Sequence, residues 1–89
     1  MAKSLKEKVE AALKEAVGEN ADVLLDEVPP DRVGGMVLSA SFAKESPTER
    51  QDRIWKVLDK RLTQHERTRV VFIVTDTPKE YEALKKAAV

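Results

Sequence analysis

The chain has 89 residues, enough for one small domain that buries about 60–65% of its unfolded surface. Sixteen Lys and Arg balance sixteen Asp and Glu, which leaves no net field to gather nucleic acid or anionic lipid. Cysteine is absent, so disulfides, thiol catalysis and thiolate metal sites are excluded together, and no apolar run approaches the ~18 residues of a membrane span.

Met1 to Glu10 is charged throughout and lacks the apolar segment of a secretion signal, which makes a soluble cytoplasmic protein the expectation. Ser4-Leu5-Lys6-Glu7 is a capping box, and Leu5, Val9, Ala12, Leu13, Ala16 and Val17 line one side of the helix it starts. Gly18 is its natural stop. Val23 to Val28 reads as a first strand, broken by Pro29-Pro30-Asp31, and Gly34-Gly35 releases the chain into a second. Met36, Leu38, Ala40 and Phe42 alternate with Val37, Ser39 and Ser41, a period of two that extends this strand to Phe42. The period then changes. Ser46-Pro47-Thr48-Glu49 combines a cap hydroxyl, a proline at the first helical position and a glutamate that reaches back. Ile54, Leu58 and Leu62 give that helix its apolar stripe.

Thr63 to Arg69 is polar and has room for one short helical turn. Val70 to Val74 is apolar on both faces, as expected of a strand covered from each side. Thr77-Pro78-Lys79-Glu80 caps a last helix in the manner of Ser46. The order α-β-β-α-β-α, with a helical connection between the second and third strands, predicts an α+β domain over residues 1–89. Its three-stranded sheet is mixed, with helices packed on it.

Ser39, Phe42, Ser46, Arg50, Gln51, Ile54 and Leu58 fall without a gap on a pattern that resembles the BolA-like family, S-x-x-F-x-G-K-S-x-x-x-R-[HQ]-x-x-[VI]-x-x-x-L. Thr77-Pro78-Lys79-Glu80-Tyr81 resembles the family's T-P-E-E-W. The likeness spans residues 20 to 83 and is strongest over 36–83. It implies a variant of the class II KH fold and a non-enzymatic role. Members of that family pair with monothiol glutaredoxins and share a 2Fe–2S cluster, through a histidine at the start of the third strand and a histidine or cysteine between the first two. Here the first position holds Arg69, and Pro29 to Gly35 holds no histidine or cysteine. A guanidinium has no lone pair to give a metal. The family's Gly-Lys is also replaced, by Lys44-Glu45. His65 is the one imidazole, four residues before the expected ligand. It is either an exposed loop histidine or a displaced ligand brought in by a folded-back loop. No cofactor is expected.

The family also includes transcriptional regulators linked to stress, which makes nucleic acid a second theme. Lys44, Arg50, Arg53, Lys56, Lys60, Arg61 and Arg69 are the candidate contacts. Against this, Glu49 with Arg53 and Asp52 with Lys56 stand at i, i+4 and are expected to pair, and no G-x-x-G loop occurs. Trp55 fits either the edge of the core or an anchor for a partner protein. Tyr81 reads as packing. Ser39, Ser41 and Ser46 have no histidine base at a defined spacing, so catalysis is not expected. The sequence thus points to an adaptor or regulator acting through protein contacts and nucleic acid. The alternative is an accessory in iron–sulfur trafficking that docks a monothiol glutaredoxin without the usual ligation.

Overall fold

Four Ser/Thr-x-x-Glu boxes set the helix starts in the computed structural model, which describes residues 4–87. They precede α1 (Leu5–Val17), α2 (Pro47–Arg61), α3 (Gln64–Thr68) and α4 (Pro78–Ala87). In each, the cap hydroxyl accepts the backbone N–H of the glutamate while the glutamate accepts the N–H of the cap residue. Two of the four orphan donors at each helix start are satisfied in this way. The box of α3, Thr63 with Glu66, turns the polar stretch after α2 into a helix of five residues. At the far end of α1, Gly18 sits at φ 119°, where a side chain would be strained, and its N–H closes on the Lys14 carbonyl at 2.7 Å.

The sheet has the order β1 (Asp22–Val28), β2 (Arg32–Leu38), β3 (Val70–Asp76), antiparallel between the first two strands and parallel between β2 and β3. The α+β arrangement expected from the sequence is the one observed. Three details differ. The alternation through Phe42 does not continue β2, which ends at Leu38. Ser39 caps a 3-10 turn over Ala40–Lys44, accepting the Ser41 N–H at 3.1 Å, and this turn rather than a strand delivers Phe42 into the core. Gly34 and Gly35 lie inside β2 and do not introduce it, since the turn is confined to Pro29–Asp31. A Cβ on Gly35 would collide with the Leu24 carbonyl oxygen of the paired strand, and one on Gly34 would stand 2.7 Å from the Phe72 ring. The glycines are there for close approach.

The third difference concerns β3. Ile73 is buried, but Phe72 and Val74 are 50% and 39% exposed, so the strand is covered on one face only. α2 packs against β3, and α1 covers the neighbouring strands β1 and β2. Leu5, Val9, Leu13, Leu25, Val33, Val37, Phe42, Ile54, Leu58, Leu62 and Ile73 form one apolar cluster between helices and sheet. Val33 pairs with Val70 and Gly34 with Phe72. Val71 is therefore an extra residue that bulges the strand at its start.

Candidate functional site

The two positions at which the BolA-like resemblance places metal ligands are brought together. The N–H of Val33 donates to the Arg69 carbonyl at 2.9 Å, which joins the start of β2 to the start of β3 whatever side chains stand there. Arg69 then donates from Nε to the Asp31 carbonyl at 2.7 Å and from Nη2 to Asp31 Oδ1 at 2.5 Å. A guanidinium and a carboxylate thus close on each other between the β1–β2 turn and the start of β3. Beside them lies a cavity of about 370 Å³ lined by Ser4, Lys6, Glu27, Pro30, Arg32 and Arg69 among others. His65 is exposed on α3, and its backbone carbonyl accepts from Thr68 Oγ1 at 2.6 Å. Among the described residues no three His, Cys, Asp or Glu side chains converge as a metal site.

Arg50 is 6% exposed and turned inward. Its Nε donates to the Phe42 and Glu45 carbonyls, both at 3.1 Å, and Nη1 to the Thr75 carbonyl at 3.1 Å. Nη1 and Nη2 grip Glu80 at 2.7 and 3.1 Å. One guanidinium fork therefore ties the 3-10 turn, β3 and α4 to α2. The Glu80 bond is the main cause that raises Arg50 above the usual guanidinium range, while burial works against it. The same bond, with the Thr77 N–H, lowers Glu80 to about 2. Glu66 is lowered to about 2 by Lys8, 2.6 Å away, and by the Thr63 N–H. Gln51, next along α2, donates to the Ile73 carbonyl at 2.8 Å and to Thr75 Oγ1 at 3.2 Å.

The remaining cations of α2 divide into bound and free. Arg53 does not pair with Glu49, which is engaged at the helix cap. It donates instead to the Ala16 carbonyl at 3.1 Å and to Glu45 Oε1 at 2.6 Å. Arg61 pairs with Glu15 at 2.8 Å. No ion pair joins Asp52 to Lys56 among the described residues, and Lys44, Lys56 and Lys60 stand exposed. The nucleic-acid candidates thus reduce to three lysines, with Arg50, Arg53, Arg61 and Arg69 engaged in bonds within the protein. Trp55 packs against the core edge and donates its indole N–H to Gln51 Oε1 at 3.2 Å. Tyr81 is half-buried under Lys85 Nζ, 5.3 Å from the ring centroid.

Sequence reasoning missed the solvent-facing side of the sheet. Asp22, Leu24 and Asp26 of β1 share it with Met36 of β2 and with Phe72 and Val74 of β3 by register and alternation. Leu24 is 49% exposed, like Phe72. The alternation Asp-Val-Leu-Leu-Asp in β1 carried the signal, since Asp22 and Asp26 flank Leu24 on one face. The described residues contain no helix long and apolar enough to cross a membrane. Comparison with family models, with curated proteins and with solved structures found no match for this chain.

Proposed function

We propose that this chain is a non-enzymatic adaptor or regulatory protein of the BolA-like kind that acts through protein contacts, in the cytoplasm. The observation that carries this reading is the open sheet face, where Leu24, Phe72 and Val74 stand in solvent on a rigid three-stranded support. Exposed apolar groups gathered on one surface mark interaction sites in small soluble proteins. The motif residues that carry the resemblance fit a scaffold role. Ser39 and Ser46 cap, Phe42 fills the core, and Arg50 and Gln51 fasten α2 to β3. A role with nucleic acid, in transcription or stress, rests on Lys44, Lys56 and Lys60 and is secondary.

The alternative is docking of a monothiol glutaredoxin in iron–sulfur trafficking without the usual ligation, since Arg69, where the resemblance expects a ligand, is paired with Asp31. Docking uses surface and shape, whereas ligation needs a donor atom. The test is to add the protein to a cluster-loaded monothiol glutaredoxin. The visible absorption and circular dichroism of the cluster should stay unchanged even if the two proteins co-elute. A new heterocomplex spectrum that vanishes in His65→Ala would overturn the reading by making the α3 histidine a ligand. In parallel, affinity capture from the native cell extract should recover a partner with the parent protein and lose it with Phe72→Asp. Equal recovery by both would reject the sheet face as the contact surface.

A further inference from the structure

The register of the strands fixes what stands beside what on the open side of the sheet. Leu38 lies between Asp22 and Asp76, Met36 between Leu24 and Val74, and Gly34 between Asp26 and Phe72. Residues two apart on a strand share a face, so these are three successive rows of one surface. The middle row is apolar throughout. In the next, the Phe72 ring lies over Gly34, where a Cβ would stand 2.7 Å from it. An aromatic side chain is thus held flat on backbone while half of it stays in solvent.

The charge on this face is one-sided. Asp22 and Asp26 stand on either side of Leu24, both exposed, and neither takes part in an ion pair among the described residues. Asp76 is a third carboxylate at the end of β3. Against them the strands place one cation on this side, Arg32, opposite Val28 in the row beyond Gly34.

The shape of the occupant follows from the backbone. A strand cannot add at the β3 edge, because the Ile73 and Thr75 carbonyls already accept bonds from Gln51 and Arg50. A partner therefore meets the face through side chains. β2 and β3 run parallel, and parallel pairs are ordinarily covered by helices on both sides. Phe72 and Val74 are two residues apart, ~6.6 Å along the strand, close to the ~6 Å between positions i and i+4 of a helix.

We propose that the open sheet face takes an amphipathic helix of another protein. Its apolar side meets Leu24, Met36, Phe72 and Val74, and Lys or Arg along one flank passes Asp22 and Asp26. Unpaired carboxylates beside an apolar strip attract a cationic flank and repel an acidic one. The inference rests on the reading that this face makes protein contacts, and adds the chemistry of the partner.

Two labelled helical peptides of about 18 residues test it. They share one leucine face and carry either lysine or glutamate at the other positions. Fluorescence anisotropy at physiological salt should show the Leu/Lys peptide binding the full chain at least about tenfold more tightly than the Leu/Glu peptide. Phe72→Ser should raise its Kd at least about tenfold with the far-UV circular dichroism preserved. Asp22→Lys/Asp26→Lys should reverse the preference between the peptides. Asp52→Lys/Asp59→Lys, the same change of charge at exposed positions of α2, should leave it as in the parent. Failure of the Leu/Lys peptide to bind, equal binding of the two peptides, indifference to Phe72→Ser, or an equal response to both charge exchanges overturns the proposal. If it fails in any of these ways while Phe72→Asp still loses a partner captured from cell extract, the basic helix alone is rejected and the adaptor reading stands. A dimer in sedimentation equilibrium that Phe72→Ser dissociates would give the face to a second copy and likewise overturn the proposal.

Discussion

Replacing Arg50 tests which of its bonds hold the fold. The guanidinium serves the Phe42, Glu45 and Thr75 carbonyls and Glu80, and its carbon lies 5.6 Å from the Phe42 ring centroid. In Arg50→Ala each of the three carbonyls loses a donor, at about 1 kcal/mol apiece. The contact with Phe42 adds about 0.5–1 kcal/mol. The Glu80 carboxylate is nearly half exposed, so screening makes the ion pair a minor part of the loss. The total is about 4 kcal/mol, with the carbonyls dominant, against roughly 4–13 kcal/mol expected for a chain of this length. Glu80→Gln keeps a side-chain oxygen for the Thr77 N–H and should cost far less than Arg50→Ala. Arg50→Lys supplies one ammonium where a planar fork is needed and should cost about 1–3 kcal/mol. Urea denaturation followed by circular dichroism measures all three. If Arg50→Lys were as stable as the parent, or if Glu80→Gln cost as much as Arg50→Ala, the carbonyl bonds would not be what the buried arginine is for.

Leu58, wholly buried in the α2 stripe, should lose about 2–5 kcal/mol on substitution by Ala, while Ser46→Ala, which removes the α2 cap, should lose about 0.5–2 kcal/mol; the same denaturation assay ranks them. Glu66 and Glu80 are lowered from 4.5 to about 2 by their partners. A depressed carboxyl stabilises the fold above its unfolded value and ceases to as pH falls through its folded value, so the urea midpoint should drop between about pH 5 and pH 2. A Glu66→Gln/Glu80→Gln variant should flatten that limb. With three free lysines near α2 and zero net charge, binding to arbitrary duplex DNA should be weak and shallow in salt dependence by fluorescence anisotropy. Tight, steeply salt-dependent binding would make Lys44, Lys56 and Lys60 the residues to replace.

What the sequence made legible was local chemistry. The boxes at Ser4, Ser46 and Thr77 and the stop at Gly18 are short-range signals, and the helices begin and end on them. The stripe Ile54, Leu58, Leu62 is buried as its spacing requires. The extension of β2 to Phe42 went astray because a period of two cannot distinguish a strand from a strand followed by a capped 3-10 turn. In both, Leu38 and Phe42 are buried, and the Ser39 hydroxyl decides between them. The cover of β3 was misjudged for a different reason. A run of five apolar residues reports that the strand can be buried on both faces, not that the chain has enough helix to do so. α4 leaves Phe72 and Val74 in solvent. Pairing partners on α2 were equally out of reach of spacing rules, since Arg53 bonds to Ala16 and Glu45 across the tertiary fold.

The corner of Asp31 and Arg69 shows how scaffold and chemistry separate. The backbone bond from Val33 to Arg69 belongs to the ladder between β2 and β3 and needs no particular side chain. Any chain with this topology will therefore set the end of the first turn beside the start of the third strand. An imidazole and a thiolate there would present lone pairs to a shared metal. A guanidinium has none to present, and here it donates instead to the Asp31 carbonyl and to Asp31 Oδ1. The Arg69–Asp31 pair adds a side-chain tie between the turn and β3 and brings neither imidazole nor thiolate to the corner. In the proposed reading, recognition falls instead to the apolar side of the sheet, where Leu24, Phe72 and Val74 stand exposed.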